Sequence, residues 1–121
     1  MFLVTSNKAK QLLCSSFIGR VRPEEIARSR EESAVLLNDL QPGFRLLVDL
    51  SRVEDISLDC VPEIGRLMEL MDHAGVSTVV RVIPDPTKDI GMNIISRFHY
   101  PNHPKIMTCE TLLRAAEMLE L

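Results

Sequence analysis

Four consecutive residues, Ser57-Leu58-Asp59-Cys60, place a hydroxyl, a carboxylate and a thiol just before an apolar-periodic segment that begins at Val61. Ser and Asp are strong helix N-cap types, because their oxygens accept from backbone N–H groups that lack a partner inside the helix. Pro62 lacks an N–H in a first turn where none is needed. On residue types alone, Ser57 and Asp59 read as caps before they read as a binding site. His99 and His103 have a spacing that one helical turn could make into a metal pair, but Pro101 and Pro104 interrupt the helix this requires. A surface turn fits better, and no metal site is expected there. His73, beside Gly75, suits the negative end of a helix. Cys14, Cys60 and Cys109 are odd in number, widely separated and never in a Cys-x-x-Cys pair, so they read as reduced thiols packed as small apolar groups. No glycine-rich phosphate loop, nucleophile elbow or His-Glu-x-x-His occurs. No catalytic residue or cofactor is assigned, and the chain reads as a non-enzyme.

The elements that must position these residues follow from periodicity. Phe2-Leu3-Val4 and the run from Leu12 to Ile18 read as two strands of a hairpin around Asn7-Lys8. Pro23-Glu24-Glu25 opens a helix, with Ile26, Ser29, Ser33, Leu36, Leu37 and Leu40 at helical spacing, and Pro42-Gly43 ends it. Phe44 to Leu50 is a nearly continuous apolar run, the pattern of a central strand covered on both faces. A polar loop follows, and then a second helix carrying Val61, Ile64, Leu67, Met68, Met71 and Ala74 on one face. Gly75 stands where a left-handed cap is expected. Val76 to Ile83 is rich in β-branched residues and reads as the next strand. Asp85-Pro86 starts a third helix with Ile90, Ile94 and Phe98 on one face; Lys105 to Thr108 gives a last short strand, and Thr111 to Leu119 a last helix. Strand and helix alternating through short connections imply right-handed βαβ units. The expected fold is α/β: one domain over residues 1–121, a mostly parallel sheet of four to five strands, about four helices and an antiparallel N-terminal hairpin.

A chain of 121 residues with 45% apolar and 26% charged side chains fits one globular domain. Arg81 interrupts the longest apolar run well short of the roughly 18 residues a membrane span needs. The N-terminus lacks the apolar core of a signal peptide, so a cytoplasmic protein without membrane insertion is expected. Tryptophan is absent, aromatics are 4%, and no basic patch appears, which argues against nucleic acid. The net charge of −3 is unevenly spread: residues 41–80 hold three basic and seven acidic side chains, whereas both flanking stretches are close to neutral.

The order Phe-Ile-Gly-Arg-Val (17–21), helix, Leu-Val-Asp-Leu-Ser-x-Val-x-x-Ile (47–56), short loop, helix ending in Ala-Gly-Val (74–76), then a β-branched strand, resembles the STAS domain. That family comprises sulphate-transporter cytoplasmic domains and anti-sigma-factor antagonists, with a fringe of STAS/Sec14-like bacterial proteins. The similarity runs from about Phe17 to Leu119, and Leu112 to Glu117 resembles the family's last helix. It implies a non-enzymatic regulatory module whose strand-to-helix loop meets a protein partner, an anti-sigma-factor or kinase-like protein. In antagonists that loop reads Asp-Ser-Ser-Gly, and its second serine is phosphorylated. Aligned on Asp49 and Ile56, Ser57 takes the place of the Asp, Leu58 of the first Ser, Asp59 of the phosphorylated Ser and Cys60 of the Gly. The chain departs at all four, and a carboxylate at 59 cannot accept phosphate. Ser57 keeps the one nearby hydroxyl and is a candidate phosphoacceptor.

Two functions from different classes follow. The first is an interaction module that binds a protein through Ser57, Leu58, Asp59 and Cys60 and the start of the next helix, without the usual serine switch. The acidity of residues 41–80 then favours a basic partner surface and salt-sensitive association. The second, suggested by the Sec14-like fringe, is a small-molecule or lipid carrier with an apolar pocket lined by Met68, Met71 and Ile94. The sequence leaves a homo-oligomer open.

Overall fold

The computed structural model describes residues 1–85, 87 and 89–121. Its elements run β1 (Phe2–Asn7), β2 (Leu12–Val21), α1 (Pro23–Leu37), β3 (Arg45–Ile56), a 3-10 turn (Leu58–Cys60), α2 (Val61–Ala74), β4 (Thr78–Val82), α3 (Asp89–His99), β5 (Lys105–Cys109) and α4 (Leu112–Met118). The strands form one five-stranded sheet in the order β1-β2-β3-β4-β5. β1 and β2 are antiparallel, and every other pairing is parallel. The expected α/β architecture, with its N-terminal hairpin, is what the chain adopts.

Local chemistry explains the elements. Pro23 occupies the first turn of α1, with Glu24 and Glu25 beside the positive end of the helix dipole. Gly75 closes α2 at φ +94°, a left-handed conformation, and a Cβ there would lie 2.9 Å from the Pro42 ring. Glycine is therefore required at this cap on two grounds, backbone conformation and space. Thr111 caps α4 by accepting from the Arg114 amide at 3.1 Å.

The two faces of the sheet are unequally covered. On one, α1, α2 and α3 bury Phe17, Ile26, Phe44, Leu46, Val48, Leu50, Ile64, Met68, Met71, Val79 and Met92 in the main core. On the other, α4 alone covers Leu12, Val80, Val82 and Cys109 through Ala115 and Leu119. β3 is therefore not covered equally on both faces: Leu46, Val48 and Leu50 are buried, whereas Arg45, Leu47 and Asp49 are half-buried. β4 is the strand whose two faces are both inside, with Val79, Val80, Arg81 and Val82 all buried.

Two further expectations are corrected. First, the polar stretch after Leu50 is strand, not loop. β3 continues to Ile56, paired with β2 through Arg52, Val53, Asp55 and Ile56, after its pairing with β4 has ended at Asp49↔Val82. The pairing slips twice, between Asp49 and Arg52 and between Val53 and Asp55, each time inserting one extra residue in β3. Each bulge shifts the in–out phase by one residue, so Leu50, Val53 and Ile56, three apart, all pack on the main core. Second, the apolar stripe of α3 faces outward: Ile90, Ile94 and Phe98 are 63%, 53% and 78% exposed. The inward side joins Met92 and Ile95, which pack on the main core, to Ser96, and Asp89 and Asn93 lie at its margin, where they meet Arg81, which is 1% exposed on β4. Arg81 donates to Asp89 Oδ1 at 3.3 Å, to Asn93 Oδ1 at 2.9 Å and to Ser96 Oγ. Asp89, Asn93 and Ser96 recur at the helical spacing that apolar core residues usually take, and a buried guanidinium needs such acceptors. The expected start of this helix at Asp85-Pro86 includes Pro86, which lies outside the described residues; the described helix begins at Asp89.

Candidate functional site

In parallel α/β sheets the loops beyond the carboxyl ends of the strands are the usual place of engagement. Here that end of β3 carries the turn Ser57–Cys60. Cys60 is fully buried, and its thiol donates to the Val21 carbonyl oxygen, 3.3 Å away at the end of β2. The Ser57 hydroxyl lies 3.7 Å from the same sulfur, and the Cys60 amide donates to the Ser57 carbonyl oxygen at 3.0 Å. The turn is thus tied down from below. Above it, Leu58 is 87% exposed, and Ser57 and Asp59 are also exposed.

Neither Ser57 nor Asp59 serves as a side-chain cap. Ser57 occupies the N-cap position of the 3-10 turn and Cys60 that of α2, and neither makes a capping side-chain hydrogen bond. Asp59 lies in the first turn of the 3-10 helix, near the positive start of α2, where a negative charge is favourable. The start of α2 is held by Glu63, which accepts from Arg30 of α1 at 2.8 Å and from Arg66 at 2.5 Å. Residue types alone gave no hint that Glu63 joins two helices.

Beside the turn is a cleft of about 220 Å³ lined by Leu50, Val53, Glu54, Asp55, Ile56 and Met92. Its floor is apolar and its rim carries two exposed carboxylates, Glu54 and Asp55. Nothing in the sequence ties Met92 to Val53, Glu54 and Asp55, because the cleft exists only where β3 outruns β4 and α3 crosses nearby.

The other flagged residues lie apart from this site. His99 Nδ1 is 2.6 Å from Glu69 Oε1, and His103 sits in an exposed turn at φ +51°. Among the described residues no three His, Cys, Asp or Glu side chains come together as a metal site. Burial raises the thiol pKa of Cys14 and of Cys109, and all three cysteines are free. Met68 and Met71 are core residues beside a gap of only about 30 Å³, and Ile94 points away from it. Ligand pockets run to several hundred Å³, so the pocket required of a carrier is not formed by the residues expected to line it. No described helix is long and apolar enough to cross a membrane.

No family sequence model matches the chain, and no curated protein does. Solved structures do match. The anti-sigma factor antagonist SpoIIAA in its unphosphorylated form superposes with a TM-score of 0.64 at 16% identity, covering 99% of this chain and 98% of its own. A DUF3478-family protein from Shewanella loihica with a SpoIIAA-like fold gives 0.72 at 12% identity over 98% and 92% of the two chains. An anti-sigma factor antagonist from Mycobacterium paratuberculosis gives 0.59 at 16% identity over 100% and 94%. At these identities the likeness is one of architecture, and the chain has the SpoIIAA-like, STAS-type fold of anti-sigma factor antagonists.

Proposed function

We propose that this chain is a non-enzymatic regulatory module that binds a protein partner, anti-sigma-factor or kinase-like, through Ser57, Leu58, Asp59 and Cys60 and the first turn of α2. One observation carries the reading: a leucine that is 87% exposed sits on a turn tied to the end of β2 by a buried cysteine. Exposed apolar side chains on a fixed backbone lose little entropy on binding and make good anchors. Two of the similar folds belong to anti-sigma factor antagonists, which supports the class of partner. In this reading Cys60 acts from within as the support of the turn, and Ser57, Leu58, Asp59 and Val61 form the contact surface.

Asp59 takes the place of the phosphorylated serine of antagonists. A phosphoserine there would carry about −1.5 to −2 charge; Asp59 carries a permanent −1 at the same helix start. The turn is therefore held in one charge state and is not switched by phosphate at 59. A cytoplasmic location fits this role. The reading is tested by partner capture with the wild type and Leu58→Asp, at low and high salt. Capture that is salt-sensitive and lost in Leu58→Asp is expected; capture indifferent to Leu58 would overturn it.

A further inference from the structure

Among the described residues, β3 from Arg52 to Ile56 pairs with β2 alone, because the ladder with β4 stops at Asp49↔Val82 and the chain then turns toward β5 through the bond from Ile83 N–H to the Cys109 carbonyl oxygen. Alternate residues of this overhang therefore present backbone donors and acceptors to an open edge, a template for another strand. The 220 Å³ cleft lies along the same overhang, with Leu50, Val53, Ile56 and Met92 as its apolar lining and Glu54 and Asp55 exposed beside it. We infer that this edge takes up a short extended segment of the protein partner as an added strand, one apolar side chain entering the cleft and Lys or Arg side chains facing Glu54 and Asp55. The inference rests on the partner-binding reading above and names the element that the partner supplies. Strand addition draws affinity from main-chain hydrogen bonds and specificity from pockets for alternate side chains, and this overhang offers both. A basic segment is favoured over a second copy of this chain by the charges at the edge itself: Glu54 and Asp55 are exposed beside the cleft against one exposed cation of the overhang, Arg52, so a second copy would bring carboxylates toward carboxylates. The two bulges limit the added segment to a few residues, since they break a long regular ladder.

The test uses the full chain and a short synthetic peptide alternating valine and lysine, with a valine–glutamate peptide as its control. Two further versions of the valine–lysine peptide are N-methylated, each at one of the two alternate sets of amides. Binding is read by fluorescence anisotropy, and its place by amide shifts in NMR. The valine–lysine peptide is expected to bind more weakly as salt rises, with shifts at 51–56, and the valine–glutamate peptide is not expected to bind. One N-methylated version should bind and the other should not, the signature of a one-sided ladder. Glu54→Lys with Asp55→Lys, both exposed positions, should weaken binding by about tenfold or more, and Glu54→Gln with Asp55→Asn by less. Failure of the valine–lysine peptide to shift 51–56, equal binding of the acidic peptide, retention by both N-methylated versions, or self-association of the chain through this edge would each overturn the inference. Leu58→Asp should leave peptide binding intact. Loss of the peptide effect with Leu58-dependent capture retained sinks this inference alone; the reverse result sinks the partner-binding reading alone.

Discussion

The Cys60 thiol reaches back 3.3 Å to the Val21 carbonyl oxygen, so the turn that exposes Leu58 is fastened to the end of β2 from inside the protein. Truncation to alanine removes this bond and leaves a small void at a fully buried position. Cys60→Ala is expected to cost about 1–2 kcal/mol in urea denaturation. Amide exchange should quicken at Leu58 to Val61, and partner affinity should fall although no surface atom has changed. Unchanged exchange in the turn would show that the thiol does not hold it.

Leu58 and Asp59 are the exposed counterparts of that anchor, and their substitution separates binding from folding. Leu58→Asp and Asp59→Ser should each alter stability by no more than about 0.5 kcal/mol, as is usual for surface changes. Asp59→Ser should shift partner affinity or make the turn a phosphate acceptor for a cognate kinase, read by mass spectrometry. Phosphate on Ser57 of the wild type would overturn the fixed-charge reading, and an inert Asp59→Ser would leave the carboxylate as no more than a favourable charge at a helix start.

The legible part of the fold was the part whose periodicity is regular. Val61 to Ala74 followed by Gly75 predicts α2 and its cap, and both are present. The far half of β3 was illegible because Leu50, Val53 and Ile56 are three apart, a spacing that fits a strand only when two bulges reset the phase. Gly19, at φ +64° in β2 beside the second slip, is the kind of isolated strand glycine that marks a bulge, but no such residue marks the first, and the cleft they help to shape was missed with them. The turn itself was legible in place but not in detail: Ser57 and Asp59 are cap-type residues that make no capping bond, and the burial of Cys60 depends on Val21, 39 residues away.

Unequal covering of the sheet predicts different costs for two adjacent leucines. Leu46 is buried in the main core, whereas Leu47 is half-buried under α4. Leu46→Asp would bury an unpaired carboxylate and is expected to unfold the chain, since the cost of several kcal/mol approaches a typical total of about 5–15. Leu47→Asp can turn its charge toward water and should cost only about 1–3 kcal/mol. Equal losses, measured by chemical denaturation, would mean that both faces of β3 are equally covered.

Tyr100 is expected to contribute to the loss of stability at alkaline pH. Burial raises its hydroxyl well above the usual tyrosine range, with Asp72 adding to the rise and Arg81 opposing it. The folded state therefore holds this proton more tightly than the unfolded state does. Stability is fully present below the unfolded tyrosine pKa of about 10 and is lost as pH rises above it, by up to about 1.4 kcal/mol per pH unit. Cys14 and Cys109, also raised by burial, act in the same direction from about pH 9. Tyr100→Phe should flatten the decline in denaturation midpoint between pH 10 and pH 11 relative to wild type. An unchanged slope would assign the alkaline loss to other groups.

Arg81 explains why a helix with an apolar stripe turns that stripe to solvent. Its guanidinium is the buried group that α3 must satisfy, and Asp89, Asn93 and Ser96 do so from one side of the helix. Removing one partner of a buried ion pair commonly costs about 3–5 kcal/mol because the other is left unpaired. Asp89 would be only partly stranded, since it still accepts from the Thr108 hydroxyl at 2.9 Å and the Asn93 amide at 3.3 Å. Arg81→Met, which keeps much of the buried volume, is therefore expected to cost about 1–3 kcal/mol. The effect should be local: amides of α3 should exchange faster while those of α2 keep their protection, because α2 is held by Ile64, Met68 and Met71 in the main core. With the guanidinium gone, the helix is free to roll so that Ile90 and Ile94 enter the core side, which NMR contacts between Ile94 and Met68 would reveal. If α3 keeps wild-type protection and its outward stripe, packing through Met92, and not Arg81, fixes the orientation of the helix.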